Sequence, residues 1–108
     1  MKEFDEVIRI MNYQFKKLVM NLSSDILTLI DLLSQIEETE QKLSVKQSER
    51  DYWLEYINVG SKTQADKIMN LEKDIKEVKD DLHRATGQFT ASVMQVLQAL
   101  SVLFLGIN

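Results

Sequence analysis

The sequence predicts an all-α protein built from long coiled-coil helices, and two observations support this fold class. The 108 residues include no proline and only three glycines, at Gly60, Gly87 and Gly106. Proline breaks helices and glycine serves tight turns, so a chain nearly without them has few turns to make. In addition, apolar residues recur every seven positions along most of the chain, which is the spacing of a coiled-coil seam.

The first seam runs through the N-terminal half of the chain. One apolar series occupies the a positions of successive heptads, with Arg50 as its exception. A second series follows three residues behind at the d positions, where Asp25, Thr39 and Lys46 interrupt it. The a series is Ile8, Phe15, Leu22, Leu29, Ile36, Leu43 and Ile57, and the d series is Phe4, Met11, Leu18, Leu32 and Trp53. A helix with this pattern buries one narrow stripe against a partner helix.

A second run of seam residues follows with a different phase. It consists of Ile68, Leu71, Ile75, Val78 and Leu82, continued by Ala85 and Phe89, again spaced alternately by three and four. The step from the first run to the second is eleven residues, a heptad plus four, which is the spacing of a stutter.

Two interpretations of this break near residues 58–62 stay open. Gly60 can end one helix while Ser61 or Thr63 caps the next, which makes a helical hairpin. Alternatively one helix continues through a stutter, with Gly60 tolerated at a cost of about 1 kcal/mol. The absence of proline and of a long polar loop favours the continuous or bent helix.

Composition divides the chain into three zones. Residues 1–36 form an apolar-rich helical segment, in which Leu18 to Ile36 is too broadly apolar for a two-helix seam. We expect this stretch to be covered by a second copy, another protein, or the chain folding back at Gly60. Residues 37–89 form a charged coiled-coil arm, and residues 90–108 an uncharged apolar tail. Ala91 to Ile107 is near the short limit of a membrane span, but Gln95 and Gln98 interrupt it, so a membrane anchor is not favoured.

The sequence offers no constellation for chemistry, so we predict no catalytic, cofactor-binding or metal-binding residues and no enzymatic activity. There is no cysteine, and His83, the one histidine, stands on the charged arm without partner ligands. Asp25 and Asp31 are six residues apart, which places them on different faces of a helix. The net charge of -4 argues against a nucleic-acid partner.

The most informative cluster is aromatic and lies at the break. Residues 49–60 read Glu-Arg-Asp-Tyr-Trp-Leu-Glu-Tyr-Ile-Asn-Val-Gly. A two-helix seam would hide Trp53 and leave Tyr52 and Tyr56 outside, where exposed aromatic residues are typical of protein-binding surfaces. The alternative is that these residues fill a wider local core. The candidate protein-binding residues are Tyr52, Trp53, Tyr56, Asn58 and Gly60.

The same stretch, extended to Ser61 and followed by Ala65, Ile68, Leu71, Glu72, Ile75 and Val78, resembles the core motif of a coiled-coil domain family of unknown function. That family includes basal body-orientation factor and related coiled-coil domain-containing proteins, and the similarity covers about residues 37–89. The resemblance implies a setting in the ciliary or flagellar cytoskeleton, at the axoneme or basal body, and it brings no catalytic residues. Family members are longer, so it also implies a truncated or spliced form.

Two hypotheses of function follow. The first is a coiled-coil structural or scaffold protein of the cytoplasm and the ciliary or flagellar cytoskeleton. It would bind other helical proteins, a second copy of itself or axonemal microtubule proteins. The second is a tail-anchored membrane adaptor with residues 91–107 in the bilayer.

Overall fold

The computed structural model describes residues 2–55 and 61–107, and these form two long α-helices. Helix α1 is Lys2–Glu55 and helix α2 is Lys62–Ile107. The described part of the chain contains no strand, so the predicted all-α class is confirmed. The predicted seam residue Ile57 and the predicted binding residues Tyr56, Asn58 and Gly60 lie outside the described residues.

Local sequence explains why both helices run so long. Glu3 and Asp5 lie in the first turn of α1. Their negative charges interact favourably with the positive end of the helix dipole. The Ser61 carbonyl accepts a hydrogen bond from the Ala65 amide at 3.1 Å, so Ser61 occupies the N-cap position of α2. Hydroxyl groups inside the helices donate to the carbonyl four residues earlier, so these polar side chains are hydrogen-bonded without ending the helix, at a slight cost to its stability. These are Ser23, Thr28, Thr39, Thr86 and Ser101.

Contacts between the helices show that the chain folds back on itself. The Lys46 Nζ lies 3.3 Å from Asp74 Oδ2, and the Gln64 side-chain amide donates to the Trp53 carbonyl at 3.3 Å. As the residue number rises along α1, the number of the contacted residue on α2 falls, so the helices are antiparallel. The fold is a helical hairpin, and the favoured interpretation of one continuous or bent helix through Gly60 is wrong.

The hairpin divides into two compact units. One, the loop-side unit, is Leu32–Gln88 and contains the end of α1 and the beginning of α2. The other, the open-end unit, consists of residues 1–31 and 89–108 and pairs the beginning of α1 with the end of α2. The three compositional zones remain a prediction, but the open-end unit brings together material from the first zone and the third.

The core is a single stripe along the seam. Leu71, Ile75 and Val78 are each only 4% exposed, and Leu32 and Ala85 are also buried. Other predicted seam residues are half-buried, because two helices shield one stripe and leave its edges open to water. These are Leu18, Leu22, Leu29, Ile36, Leu43, Trp53, Ile68, Leu82 and Phe89, and the polar interruptions Asp25, Thr39, Lys46 and Arg50 are half-buried with them.

Among the described residues, the first turns of α1 have no helix opposite them in the open-end unit. That unit contains 30 residues of α1 but only 19 of α2, so at about 1.5 Å per residue roughly 16 Å of α1 is unpaired. The predicted seam residues Ile8 and Phe15 are in phase with the rest and yet exposed. Leu18 is the first half-buried residue of the helix.

Candidate protein-binding surfaces

The aromatic pair beside the break divides between the core and the surface. Trp53 occupies a d position and is half-buried, whereas Tyr52 is 57% exposed. The two rings meet edge to face, with centroids 6.3 Å apart. The Lys67 ammonium of α2 lies 5.4 Å from the centroid of the Trp53 ring, close enough for a cation–π attraction. Trp53 therefore joins the two helices, and Tyr52 presents its ring outward.

Gln64 also links the two helices at this junction. Its side-chain nitrogen bonds the Trp53 carbonyl, one of the last four of α1, which lack partners within the helix. Its Oε1 is buried and has no hydrogen-bond partner in the part of the chain that the structure describes. The junction thus combines an aromatic contact, a cation and an amide.

A charged groove runs along one flank of the loop-side unit. It is lined by Lys42 and Lys46 of α1 and by Asp74, Glu77 and Asp81 of α2. The Lys46–Asp74 pair is partly exposed, with the side chains 30% and 46% accessible, so it contributes at most about 1 kcal/mol. Lys42 stands one residue before a seam position of α1, and Asp74 and Asp81 stand one before seam positions of α2.

This groove illustrates a rule for the whole hairpin. Two antiparallel helices are related by a two-fold axis perpendicular to the plane that contains them. Residues at the same heptad position on the two helices therefore lie on the same side of that plane. Positions just before an a residue form one flank, and positions just after a d residue form the other.

The second flank of the open-end unit is apolar. On α1, Val19 and Ile26 each follow a d position, and Ile30 lies one turn further out. On α2, the seam continues beyond Phe89 through the half-buried residues Ser92, Val96, Ala99 and Leu103. Val93 and Leu100 occupy the positions equivalent to Val19 and Ile26, with Leu97 and Phe104 further out. We call these seven residues the apolar face. Val93 and Leu100 are half-buried and the other five are exposed, so the face is a surface that the hairpin does not cover.

Spacing within the apolar face repeats that of the seam. Val19, Ser23, Ile26 and Ile30 are separated by four, three and four residues, and so are Val93, Leu97, Leu100 and Phe104. Each helix therefore carries a second seam, which is the pattern of a helix that packs on two neighbours in a bundle. Ser23 does not interrupt this surface as a free polar group, because its hydroxyl donates to the Val19 carbonyl at 2.9 Å.

The opposite flank of the open-end unit is mostly polar but uncharged. Asn21 and Thr28 of α1 and Gln95 of α2 stand before seam positions and are exposed, with Val102 as the apolar exception. The open-end unit is thus apolar on one side of its seam and amide- and hydroxyl-bearing on the other.

The histidine and the two aspartates considered as sites of chemistry do not belong to the apolar face. His83 and Asp31 are exposed and Asp25 is half-buried on the seam. The described residues contain no group of three or more side chains able to hold a metal ion. Within the same residues, one helix is long and apolar enough to cross a membrane. An 18-residue stretch within Lys62–Leu105 has a mean hydropathy of 1.4, with none of that stretch fully buried.

Sequence reasoning identified the apolar breadth around Leu18 to Ile36 but missed the part of the apolar face that α2 supplies. The signal was present, since Val93, Leu97, Leu100 and Phe104 follow a regular repeat displaced from the main seam. Without the partner helix, that stretch has the appearance of an apolar tail. The repeat on α1 and the repeat on α2 lie on the same flank only because the two helices pair antiparallel, and the sequence alone does not show that pairing.

Comparison with known proteins does not assign this chain to a group. No family model matches it, and no solved structure is significantly similar to it.

Proposed function

We propose that this chain is a non-enzymatic coiled-coil scaffold protein that acts by binding other helices, in the ciliary or flagellar cytoskeleton. The observation that supports the binding role best is the uncovered apolar surface of the open-end unit. A hairpin without a partner would leave Ile26, Ile30, Leu97 and Phe104 exposed to water. Covering this surface with a partner would stabilise the complex by about 25 cal/mol for each Å² of apolar surface buried.

The proposed cellular address depends on the resemblance of residues 49–61 to the basal body-orientation factor family. Tyr52 is the exposed aromatic residue of that motif in the described part of the chain. Because large exposed aromatic side chains contribute strongly to protein interfaces, Tyr52 is the natural contact for an axonemal or basal-body protein.

Localisation in ciliated cells tests this proposal. A tagged full-length chain should concentrate at basal bodies or axonemes, and Tyr52→Ala should reduce that concentration. Met69→Ala is the matched control, since Met69 is also a large exposed residue of the loop-side unit but lies outside the aromatic cluster. Diffuse cytoplasmic staining of the unmodified chain would contradict the ciliary assignment. Equal staining of the two variants at these structures would show that Tyr52 does not contribute to the localisation.

A tail-anchored membrane adaptor is the second candidate, favoured by the apolar stretch of α2. In the hairpin, however, Val96 and Leu103 of this stretch are half-buried on the α1 side. Insertion into a bilayer would require separating them from α1. Carbonate extraction of cell membranes distinguishes the two candidates, because an anchored chain stays in the pellet and a peripheral or soluble one is released.

A further inference from the structure

We propose that the apolar face binds a second copy of this chain, so that two hairpins form a four-helix assembly. This inference deepens the proposed function, because it specifies one partner for a protein that acts through helix–helix binding. It concerns a surface separate from the aromatic cluster around Tyr52, so each can fail without the other.

The size of the face agrees with a stable interface. Val19, Ile26, Ile30, Leu97 and Phe104 are between 39% and 64% exposed. Met20, Leu27 and Met94 adjoin them and are more than half exposed. Together these side chains offer on the order of 800 Å² per chain, about what each partner contributes to a standard specific interface.

The unpaired start of α1 is a less suitable surface. Its exposed seam residues Phe4, Ile8 and Met11 lie on one helix, interspersed with the charged residues Asp5, Glu6 and Arg9. The apolar face instead combines uncharged residues from two helices, so it is the better surface for a dimer.

Charge favours a second copy as the occupant. Between Leu18 and Asp31, and from Phe89 to Ile107, the charged residues are Asp25 and Asp31. Asp25 is half-buried on the seam, and Asp31 lies outside the apolar face. A face that carries no charge can meet an identical face across a two-fold axis without like-charge repulsion.

The same charges disfavour a lipid surface. Helices that lie on membranes carry Lys and Arg on their polar face and are attracted to anionic lipids. Here the polar flank of the open-end unit presents the uncharged residues Asn21, Thr28 and Gln95. The basic residues next to the face, Lys16 and Lys17, lie only at its Val19 end. The regular three-and-four spacing of the face also suits the ridges and grooves of facing helices.

Disruption of the face tests the proposal by molar mass. The unmodified protein at tens of micromolar should show twice its chain mass of 12.6 kDa in light scattering. Ile30→Glu combined with Leu97→Glu should halve the measured mass while the circular dichroism stays helical, because both side chains lie outside the hairpin seam. Asn21→Glu combined with Gln95→Glu adds the same charge on the opposite flank and should leave the dimer intact.

Several results would overturn the inference. A monomeric unmodified chain would do so, and so would a folded Ile30→Glu/Leu97→Glu variant that stays dimeric. If the mass of both double variants halves alike, added charge rather than the face is responsible, which also contradicts it. Flotation of the monomeric chain with vesicles of phosphatidylcholine and phosphatidylserine would assign the face to lipid. Ciliary localisation of a monomeric protein would uphold the proposed function while removing the homodimer.

Discussion

Truncation of Ile75 is the sharpest test of the seam. Ile75 is 4% exposed in the loop-side unit, so replacing it with alanine removes three carbon atoms from the most buried part of the core. At about 0.8 kcal/mol for each buried methylene-sized group, the transfer cost is roughly 2.4 kcal/mol. A two-helix seam lies close to solvent and closes over part of the gap, so the cavity cost adds little. We expect a total loss of about 2.5 kcal/mol, near the low end of the range for such substitutions.

Urea unfolding followed by circular dichroism at a fixed protein concentration measures this loss. With a slope of about 1–1.5 kcal/mol per M for a chain of this size, the midpoint should fall by roughly 2 M. Ile10→Ala is the matched control, because Ile10 is 48% exposed and lies off the seam. Its midpoint should change little, since alanine is also the better helix former. Equal shifts for the two variants, or a loss below about 1 kcal/mol for Ile75→Ala, would show that the seam is not the core.

Three further substitutions test separate parts of the hairpin. Gly87 lies inside α2, and an added Cβ would meet no atom within 4 Å. Gly87→Ala should therefore stabilise the protein by about 0.5–1 kcal/mol and raise Tm by a few degrees. A lower Tm would refute this expectation. Lys46→Leu should raise the urea midpoint, because apolar burial at a half-buried d position exceeds the weak, partly exposed pair with Asp74. A loss of more than about 1 kcal/mol would give the ion pair the larger role. Lys67→Met keeps the side-chain stem but removes the cation above Trp53. It should lower the free energy of unfolding by about 0.5–1 kcal/mol, measured by urea unfolding followed through Trp53 emission. An unchanged free energy of unfolding would mean that the cation–π contact adds nothing.

The helical class and the position of the seam followed from local rules. A chain without proline has little to interrupt its helices, and the heptad phase depends only on the rotation per residue. For this reason Leu22, Leu29, Ile36 and Leu43 could be assigned to one stripe before any partner was known. Even the polar residues in phase with that stripe are half-buried.

The fold-back itself was not accessible to the same rules. A continuous helix and a hairpin differ locally by only about 1 kcal/mol at Gly60, whereas the burial of Leu71, Ile75 and Val78 depends on contacts between residues far apart in sequence. Periodicity alone cannot weigh those contacts, so it favoured the wrong alternative.

The sequence by itself determined which residues share a helical stripe, because a stripe is a property of one helix and its repeat. Only the tertiary structure decided which stripes are covered. Among the described residues, the antiparallel pairing left Ile8 without a helix opposite it, although its phase matches that of Leu22. It also brought Ile26 of α1 and Leu97 of α2 to the same flank. Exposure depends on which residues of the partner helix lie opposite and which way that helix runs, and neither is encoded in the spacing of one segment.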